Sequence, residues 1–321
     1  MGEHTQFGIV CCSSIEDYEN QLIKRHEFTL AKKELDRTKL TDIQCANVGP
    51  VFLTYREKQE EVKARMAEIA ATSPHGDVTS DDGVRHVLWR CSPEDSEWFK
   101  GVFGEIPHTY VADGHHRAAA AYNVGKIRRE KAISEGKEIT GEEPFNYFMT
   151  LLYPADNLLI LDYNRVLKTI GELTPAQFLE GIKENYTLEQ IPLGGETKPS
   201  ELHTFSLLME NQWWKMTLKP EKLDESTPVT KLDSQILNET IFGPMLGITD
   251  LKNDSRIDFV GGIRGHKELE RRTQEDCVCA IALKPTEIHE LLDVADASLI
   301  MPPKSTWFEP KPRSGFVVRC F

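Results

Sequence analysis

The spacing of apolar and polar residues predicts alternating strands and helices along the chain. Short apolar runs bounded by turn residues are typical of buried strands, and the clearest are residues 7–12 (FGIVCC), 50–55 (PVFLTY), 108–112 (HTYVA) and 145–153 (FNYFMTLLY). Charged stretches of helical length lie between them, and Ser92-Pro93 is a typical start of a helix. Alternating residues on both sides of Asp82-Gly83 predict a hairpin.

From about residue 156 the pattern changes. Two apolar runs around Glu210-Asn211-Gln212 predict an antiparallel hairpin, and residues 256–262 (RIDFVGG) and 277–283 (CVCAIAL) predict strands between charged helices. We therefore expect an α/β (α+β) fold, with a mixed sheet and helices packed on it. We place the domain boundary between residues 1–154 and residues 155–321.

Composition and charge narrow the class of protein. The chain has 321 residues, of which 40% are hydrophobic and 28% are charged, as in a globular protein. The net charge of -13 opposes long-range attraction to DNA or RNA, so no nucleic-acid partner is expected. No apolar run approaches the roughly 18 residues of a membrane span, and the first residues do not resemble a signal peptide, so we expect a cytoplasmic protein without membrane contact.

The seven cysteines are expected to be reduced thiols. Cys11-Cys12 and the pair Cys277 and Cys279 fall in apolar runs. Without a second pair at zinc-like spacing, small buried side chains are the favoured interpretation, and half of a metal site is the alternative.

The strongest candidate for a functional site is the segment Asp113-Gly114-His115-His116-Arg117, in which four of five successive residues have side chains that can bind or transfer protons or ions. It lies between a predicted strand and an alanine-rich helix, and the start of a helix attracts anions through unpaired N–H groups and its dipole. Gly114 permits close approach of the backbone, and Arg117 can reach back over the first turn to an oxyanion. His115 and His116 point about 100° apart, so we expect them to have separate tasks. Asp113 is a candidate magnesium ligand or catalytic group, with local capping and ion pairing as the alternative.

Two further groups are candidates. His26 and Glu27 could supply a general base, although the charged residues that follow, Lys32 to Arg37, are equally typical of a helix surface. Lys304, Ser305 and Thr306 lie in a proline-flanked segment that could contact a phosphate or nucleotide, with a rigid surface tail as the equal alternative.

Several strings together resemble a family within the ParB/sulfiredoxin superfamily, often described as ParB/RepB-like. They run in order along nearly the whole chain: IKRHEFTLAKKELDR, GPVFLTY, SDDGVRHVLWR, YVADGHHRAAAAY and MPPKSTWFEPKPRSGFVV. The resemblance implies that Gly114, His116 and Arg117 belong to a nucleotide-phosphate loop. His115 stands where sulfiredoxins have cysteine, which argues against sulfinic-acid reduction.

Some relatives in that superfamily are free-serine kinases, so the resemblance implies an ADP- or ATP-dependent, magnesium-assisted kinase that forms O-phosphoserine from L-serine. Longer members have a further segment, carrying the presumed base, before the point where this chain begins, so the chain is expected to enter mid-domain. Either Glu27 then takes over as base, or the protein is a ParB-like nucleotide sensor or scaffold without phosphoryl transfer, or the chain is a truncated product.

A metal-dependent hydrolase with Asp113, His115 and His116 as ligands ranks last, because adjacent helical histidines are poorly placed for one metal. The expected partners are a small substrate and a nucleotide, and a homo-oligomer is compatible with the sequence.

Overall fold

The computed structural model describes residues 4–321, which form two compact units. The first unit contains residues 4–158 and the C-terminal segment Lys311–Phe321. The second unit is Leu159–Pro310. The C-terminal segment therefore belongs with the N-terminal half of the chain, and each unit has a sheet of its own.

The first unit is built on a five-stranded mixed sheet in the order β1-β8-β4-β7-β2. Its strands are β1 (Ile9–Ser14), β2 (Ile23–Lys24), β3 (Ala46–Asn47), β4 (Val51–Tyr55), β5 (Gly76–Thr79), β6 (Arg85–Leu88), β7 (Thr109–Asp113) and β8 (Tyr147–Pro154). Its helices are α1 (Ile15–Glu19), α2 (Ala31–Gln44), α3 (Gln59–Ala70), α4 (Pro93–Gly104) and α5 (His115–Ser134). Within the sheet β8 runs parallel to β4 and β7 runs parallel to β2, whereas the other pairs are antiparallel. The predicted mixed sheet is confirmed.

Local signals in the first unit act as the sequence predicts. Ser92 forms a capping box with Asp95 at the start of α4, where Pro93 occupies the first turn. β5 and β6 pair as the hairpin predicted around Asp82-Gly83, and Gly83 has a φ of 82° at its turn. Both features could be predicted from the sequence because a cap or a tight turn is formed by hydrogen bonds among a few neighbouring residues.

Helix α5 packs closely on the sheet because the side chains on its buried face are small. The alanines of residues 118–121 are all buried. Further along, a Cβ at Gly125 would collide with the side chain of Ile15 and lie 2.8 Å from the carbonyl oxygen of Phe145. This tight packing holds α5 against the sheet immediately after the end of β7.

The second unit is built on a six-stranded antiparallel sheet in the order β11-β13-β12-β15-β10-β14. Its strands are β9 (Leu159–Leu161), β10 (Tyr163–Leu167), β11 (Tyr186–Gln190), β12 (Thr204–Met209), β13 (Gln212–Leu218), β14 (Ile257–Gly261), β15 (Cys279–Ala282) and β16 (Trp307–Glu309). Its helices are α6 (Pro175–Ile182), α7 (Asp233–Leu237), α8 (Gly243–Leu246), α9 (His266–Glu275) and α10 (Ile288–Asp296). Glu210 and Asn211 both have positive φ angles in the tight turn between β12 and β13, as predicted for this hairpin.

Some sequence expectations need correction. The final strand expected within residues 316–321 is only Arg319–Cys320, which pairs with β3. Cys277 and Cys279 are buried as expected, but Cys12 is exposed, because alternate residues of the edge strand β1 face away from the core. Within residues 4–321, none of the helices combines the length and the apolar character that crossing a bilayer requires.

Candidate active site at the start of helix α5

The candidate site begins where β7 ends at Asp113. The pairing of β7 with β4 shifts register here: Phe52 lies opposite Asp113 and Leu53 lies opposite Val111, so Ala112 is an extra residue on β7. Gly114 then takes a φ of 102° as the N-cap of α5. Only glycine adopts this backbone conformation without strain, which explains the glycine between strand and helix.

Arg117 folds back over this turn, as the sequence predicts. Its guanidinium donates a hydrogen bond of 2.8 Å to Oδ2 of Asp113. A Cβ on Gly114 would lie 2.9 Å from the Nε of Arg117, and a Cβ on Gly49 would lie 3.1 Å from its Nη1. The two glycines therefore leave the space that the guanidinium occupies.

Positive charge surrounds this turn. Lys311 donates a hydrogen bond of 3.0 Å to Oδ1 of Asp113. Burial lowers the pKa of the Arg117 guanidinium below its ordinary value, Asp113 opposes the shift, and the positive charge of Arg37 on α2 adds to it. Arg37, Arg117 and Lys311 thus outnumber the carboxylates of Asp113 and Glu27 beside the positive end of a 20-residue helix. The surroundings favour an anion.

His26 and Glu27 lie beside the same turn because β2 and β7 are parallel neighbours. Ile23 pairs with Thr109, so the residues that follow β2 run alongside the end of β7. The rings of His26 and His115 meet edge to face, with centroids 4.5 Å apart. Oε2 of Glu27 lies 3.9 Å from Nδ1 of His115, and the Glu27 side chain is 44% exposed. The two groups of candidates, far apart in sequence, are therefore in contact.

Both buried histidines are neutral. Burial lowers the pKa of His26 to about 4, against the opposing effects of Asp113 and a hydrogen bond with the backbone of Val111. Burial also holds the pKa of His115 well below its ordinary value, and the neighbouring His26 and His116 lower it further. The contact between Glu27 and His115 is consequently polar and is not an ion pair, and its length exceeds that of a hydrogen bond.

His116 has different surroundings from His115. Its Nε2 accepts a hydrogen bond of 3.0 Å from the backbone N–H of Leu30, the residue before α2. His115, by contrast, is buried against His26. This separation follows from the 100° between successive helical residues and ties the start of α2 to the start of α5.

Asp113 does not offer a preformed magnesium site in this conformation. Each of its carboxylate oxygens accepts a hydrogen bond from a cation, Arg117 or Lys311. Among residues 4–321, no group of three or more His, Cys, Asp or Glu side chains is arranged to hold a metal ion. Magnesium usually needs one or two free carboxylates besides the phosphates it binds, so these residues fit a resident ion poorly.

Lys304, Ser305 and Thr306 belong to the second unit. Lys304 is exposed, and its ammonium lies 5.5 Å from the centre of the Tyr163 ring. The hydroxyl of Ser305 is buried and hydrogen-bonded to that of Ser234 at 2.8 Å. The predicted role of these three residues with phosphate stays a prediction.

Sequence reasoning missed three residues around the α5 turn: Gly49, Lys311 and Ser314. Arg37, by contrast, belongs to the charged run that follows the candidates His26 and Glu27 in the sequence. Ser314 lies close to Gly49: a Cβ added at Gly49 would lie 2.8 Å from the Oγ of Ser314. The signal was present in the tail as the basic, proline-rich string PKPRSG. By itself the string predicts only an extended tail, because no local signal shows which distant residues it contacts.

Comparison with known proteins identifies the family. A family model described as "Protein of unknown function (DUF1015)" matches residues 1–235. The chain belongs to the DUF1015 family. The match includes β7, the α5 turn and Glu27 of this DUF1015 protein, whereas Lys311 and Ser314 lie beyond it. No curated protein matches the chain.

Several solved structures are similar to this DUF1015 protein at low identity. A free serine kinase in complex with AMP has a TM-score of 0.44 at 11% identity, covering 98% of this chain and 94% of the other. A conserved hypothetical protein from Pyrococcus furiosus has a TM-score of 0.43 at 11% identity, covering 97% and 96%. SbnI with a C-terminal truncation, from Staphylococcus aureus, has a TM-score of 0.45 at 10% identity, covering 94% and 82%. Likenesses of this degree identify neither the activity nor the substrate of this chain.

Proposed function

We propose that the protein is a phosphotransferase that binds a nucleotide at the α5 turn and acts on a small hydroxylated metabolite, with free L-serine as the favoured acceptor. The observation that carries the proposal is the cationic turn itself. Arg117 lies folded over Gly114, and Lys311 and Arg37 add positive charge at the start of the helix. Backbone N–H groups and a guanidinium are the groups that hold phosphate in nucleotide sites.

The donor phosphates would contact the N–H groups of the first turn of α5 and the guanidinium of Arg117. Asp113 positions Arg117 through their hydrogen bond. As charge develops on the transferred group, these fixed cations stabilise it without reorganising. Lys311 lies on the other oxygen of Asp113 and adds to the same field. The magnesium role predicted for Asp113 stays a prediction, and no step is assigned to it.

Glu27 is the proposed base. It is partly exposed beside the turn, and its neighbour His115 is buried and neutral, so its carboxylate is not neutralised by an ion pair. In the transfer step the acceptor hydroxyl gives its proton to Glu27 while its oxygen bonds to the terminal phosphorus. The bond from that phosphorus to the bridging oxygen breaks, and the products are a phosphate ester and a nucleotide with one phosphate fewer.

The test is the formation of O-phosphoserine from L-serine with ADP, ATP or pyrophosphate as donor, with and without magnesium. Arg117→Ala should lose nucleotide binding and turnover together. Glu27→Gln should retain nucleotide binding and lose at least about a hundredfold in turnover, as is typical for a missing general base. The matched controls are Arg90→Ala and Glu97→Gln, two exposed positions of the same unit.

A nucleotide sensor without transfer is the second candidate, and the hydrogen bonds of Asp113 favour it, because they leave neither of its oxygens free for magnesium. Nucleotide binding that depends on Arg117, without any serine-dependent product, would select this candidate. No nucleotide binding at all would refute both.

A further inference from the structure

The second unit contains a buried cation without an anionic partner. Arg165 lies in the middle of β10, a strand with neighbours on both sides, and is 1% exposed. One of its terminal nitrogens, Nη1, donates to the carbonyl oxygen of Tyr163, and its guanidinium lies 5.3 Å from the centre of the Phe259 ring. Its Nε and Nη2 have no hydrogen-bond partner among residues 4–321, and no carboxylate there forms an ion pair with it. A buried charge left in this state is costly unless something supplies the missing partner.

Arg165 lines a narrow, largely polar pocket at this position. Asp233, Ser234, Lys284, Thr286, Glu290 and Ser305 line the same pocket, and the ammonium of Lys284 forms an ion pair with Glu287 outside it. All of these residues belong to the second unit, so the pocket is complete within it. Ser305 is one of the residues that the sequence had suggested as ligand-binding, and its hydroxyl is joined to that of Ser234.

A second unpartnered atom belongs to Asp233, which also lines the pocket. Oδ1 of Asp233 accepts hydrogen bonds from the backbone and the ring of His203, at 2.9 and 3.1 Å. Its Oδ2 is buried and has no hydrogen-bond partner among the described residues. The pocket thus offers free guanidinium donors and a free carboxylate acceptor at once.

This mixture of charges selects the ligand. A phosphate dianion would meet the carboxylates of Asp233 and Glu290, and an alkylammonium ion would leave Arg165 unpaired. A molecule carrying one carboxylate and one ammonium group satisfies both. We propose that the pocket binds a small α-amino acid, with its carboxylate on Nε and Nη2 of Arg165 and its ammonium on Oδ2 of Asp233.

The residues of this pocket belong to the second unit and the α5 turn belongs to the first, and binding at the pocket requires no phosphoryl transfer. The probe is therefore glycine, which is the smallest α-amino acid and has no hydroxyl to be phosphorylated. Calorimetric titration of the full chain with glycine, without nucleotide, should show one site. Arg165→Met should weaken glycine binding at least about tenfold, the loss expected for a charged hydrogen-bonded pair. The control Arg264→Met, an exposed arginine of the same unit, should bind glycine like the wild type.

Asp233→Asn keeps the oxygen that accepts from His203 and removes the free anionic acceptor, so it tests the site even if Arg165→Met fails to fold. It should weaken glycine binding while leaving acetate binding unchanged. Acetate or phosphate binding the wild type as tightly as glycine does would overturn the proposal, as would no binding of glycine. Loss of glycine binding in Arg117→Ala, with retention in Arg165→Met, would place the ligand in the first unit and refute it as well. Failure of the kinase assay would leave each of these outcomes unaffected.

Discussion

Replacing Gly114 with alanine perturbs the candidate site at a single atom. Gly114 has a φ of 102°, and a left-handed backbone costs a non-glycine residue about 1–2 kcal/mol. The new Cβ would lie 2.9 Å from both Nε and Nη2 of Arg117, so the guanidinium must move away from Asp113. The pair is partly exposed, and its loss adds up to about 1 kcal/mol. We expect Gly114→Ala to lower the free energy of unfolding by about 1–3 kcal/mol.

The larger effect is on the ligand. If Arg117 holds a nucleotide phosphate, displacing it removes charged hydrogen bonds that contribute about 1.5–3 kcal/mol, so nucleotide affinity should fall about 10- to 150-fold. Urea unfolding measures the stability, and calorimetry with ADP and ATP measures the affinity.

Gly136→Ala is the matched control for this variant. Gly136 also has a positive φ, of 74°, and a Cβ there meets nothing within 4 Å. It should show the backbone cost alone and bind nucleotide normally. If Gly114→Ala binds nucleotide as the wild type does, or if both variants lose affinity equally, then the space beside Arg117 is not part of a nucleotide site.

Three further predictions follow from the first unit. Burial lowers the pKa of His26 to about 4, whereas histidine in the unfolded chain titrates near 6.5. The contribution of His26 to the free energy of unfolding is therefore complete above about pH 6.5 and falls by about 3 kcal/mol toward pH 4. Urea unfolding at several pH values measures how the free energy of unfolding depends on pH, and an equal dependence in H26Q would contradict the prediction. Lys311→Ala should lower ADP affinity several-fold and weaken its salt dependence, because it removes a cation beside the turn; calorimetry at two salt concentrations checks this, and an unchanged affinity would remove the tail from the site. Gly125→Ala should destabilise the protein by about 1–3 kcal/mol, because its methyl group collides with Ile15. Gly101→Ala, in open space on α4, should instead stabilise by up to about 1 kcal/mol, and urea unfolding of both compares them.

The sequence predicted most elements because their signals are local. The cap at Ser92, the hairpin at Asp82-Gly83 and the turn at Glu210-Asn211 each depend on a few neighbouring residues, and each is found in the structure. The mixed sheet was also predictable. Helices alternate with strands along the chain, and some of the strands are continuous apolar runs whereas others alternate apolar and polar residues. The strand, glycine and helix around Asp113 follow from the same kind of local signal.

The remaining features depend on contacts between distant residues. The sequence placed a cationic loop at Arg117, but only the tertiary structure brought Lys311 to Asp113 across 198 positions, and only the parallel pairing of β2 with β7 set His26 against His115. Likewise, nothing near Arg165 in sequence reveals that it is buried without a carboxylate partner. Caps and turns are determined by short-range hydrogen bonds, whereas strand order, burial and the assembly of charges are determined by which surfaces pack together, and that choice is made by the chain as a whole.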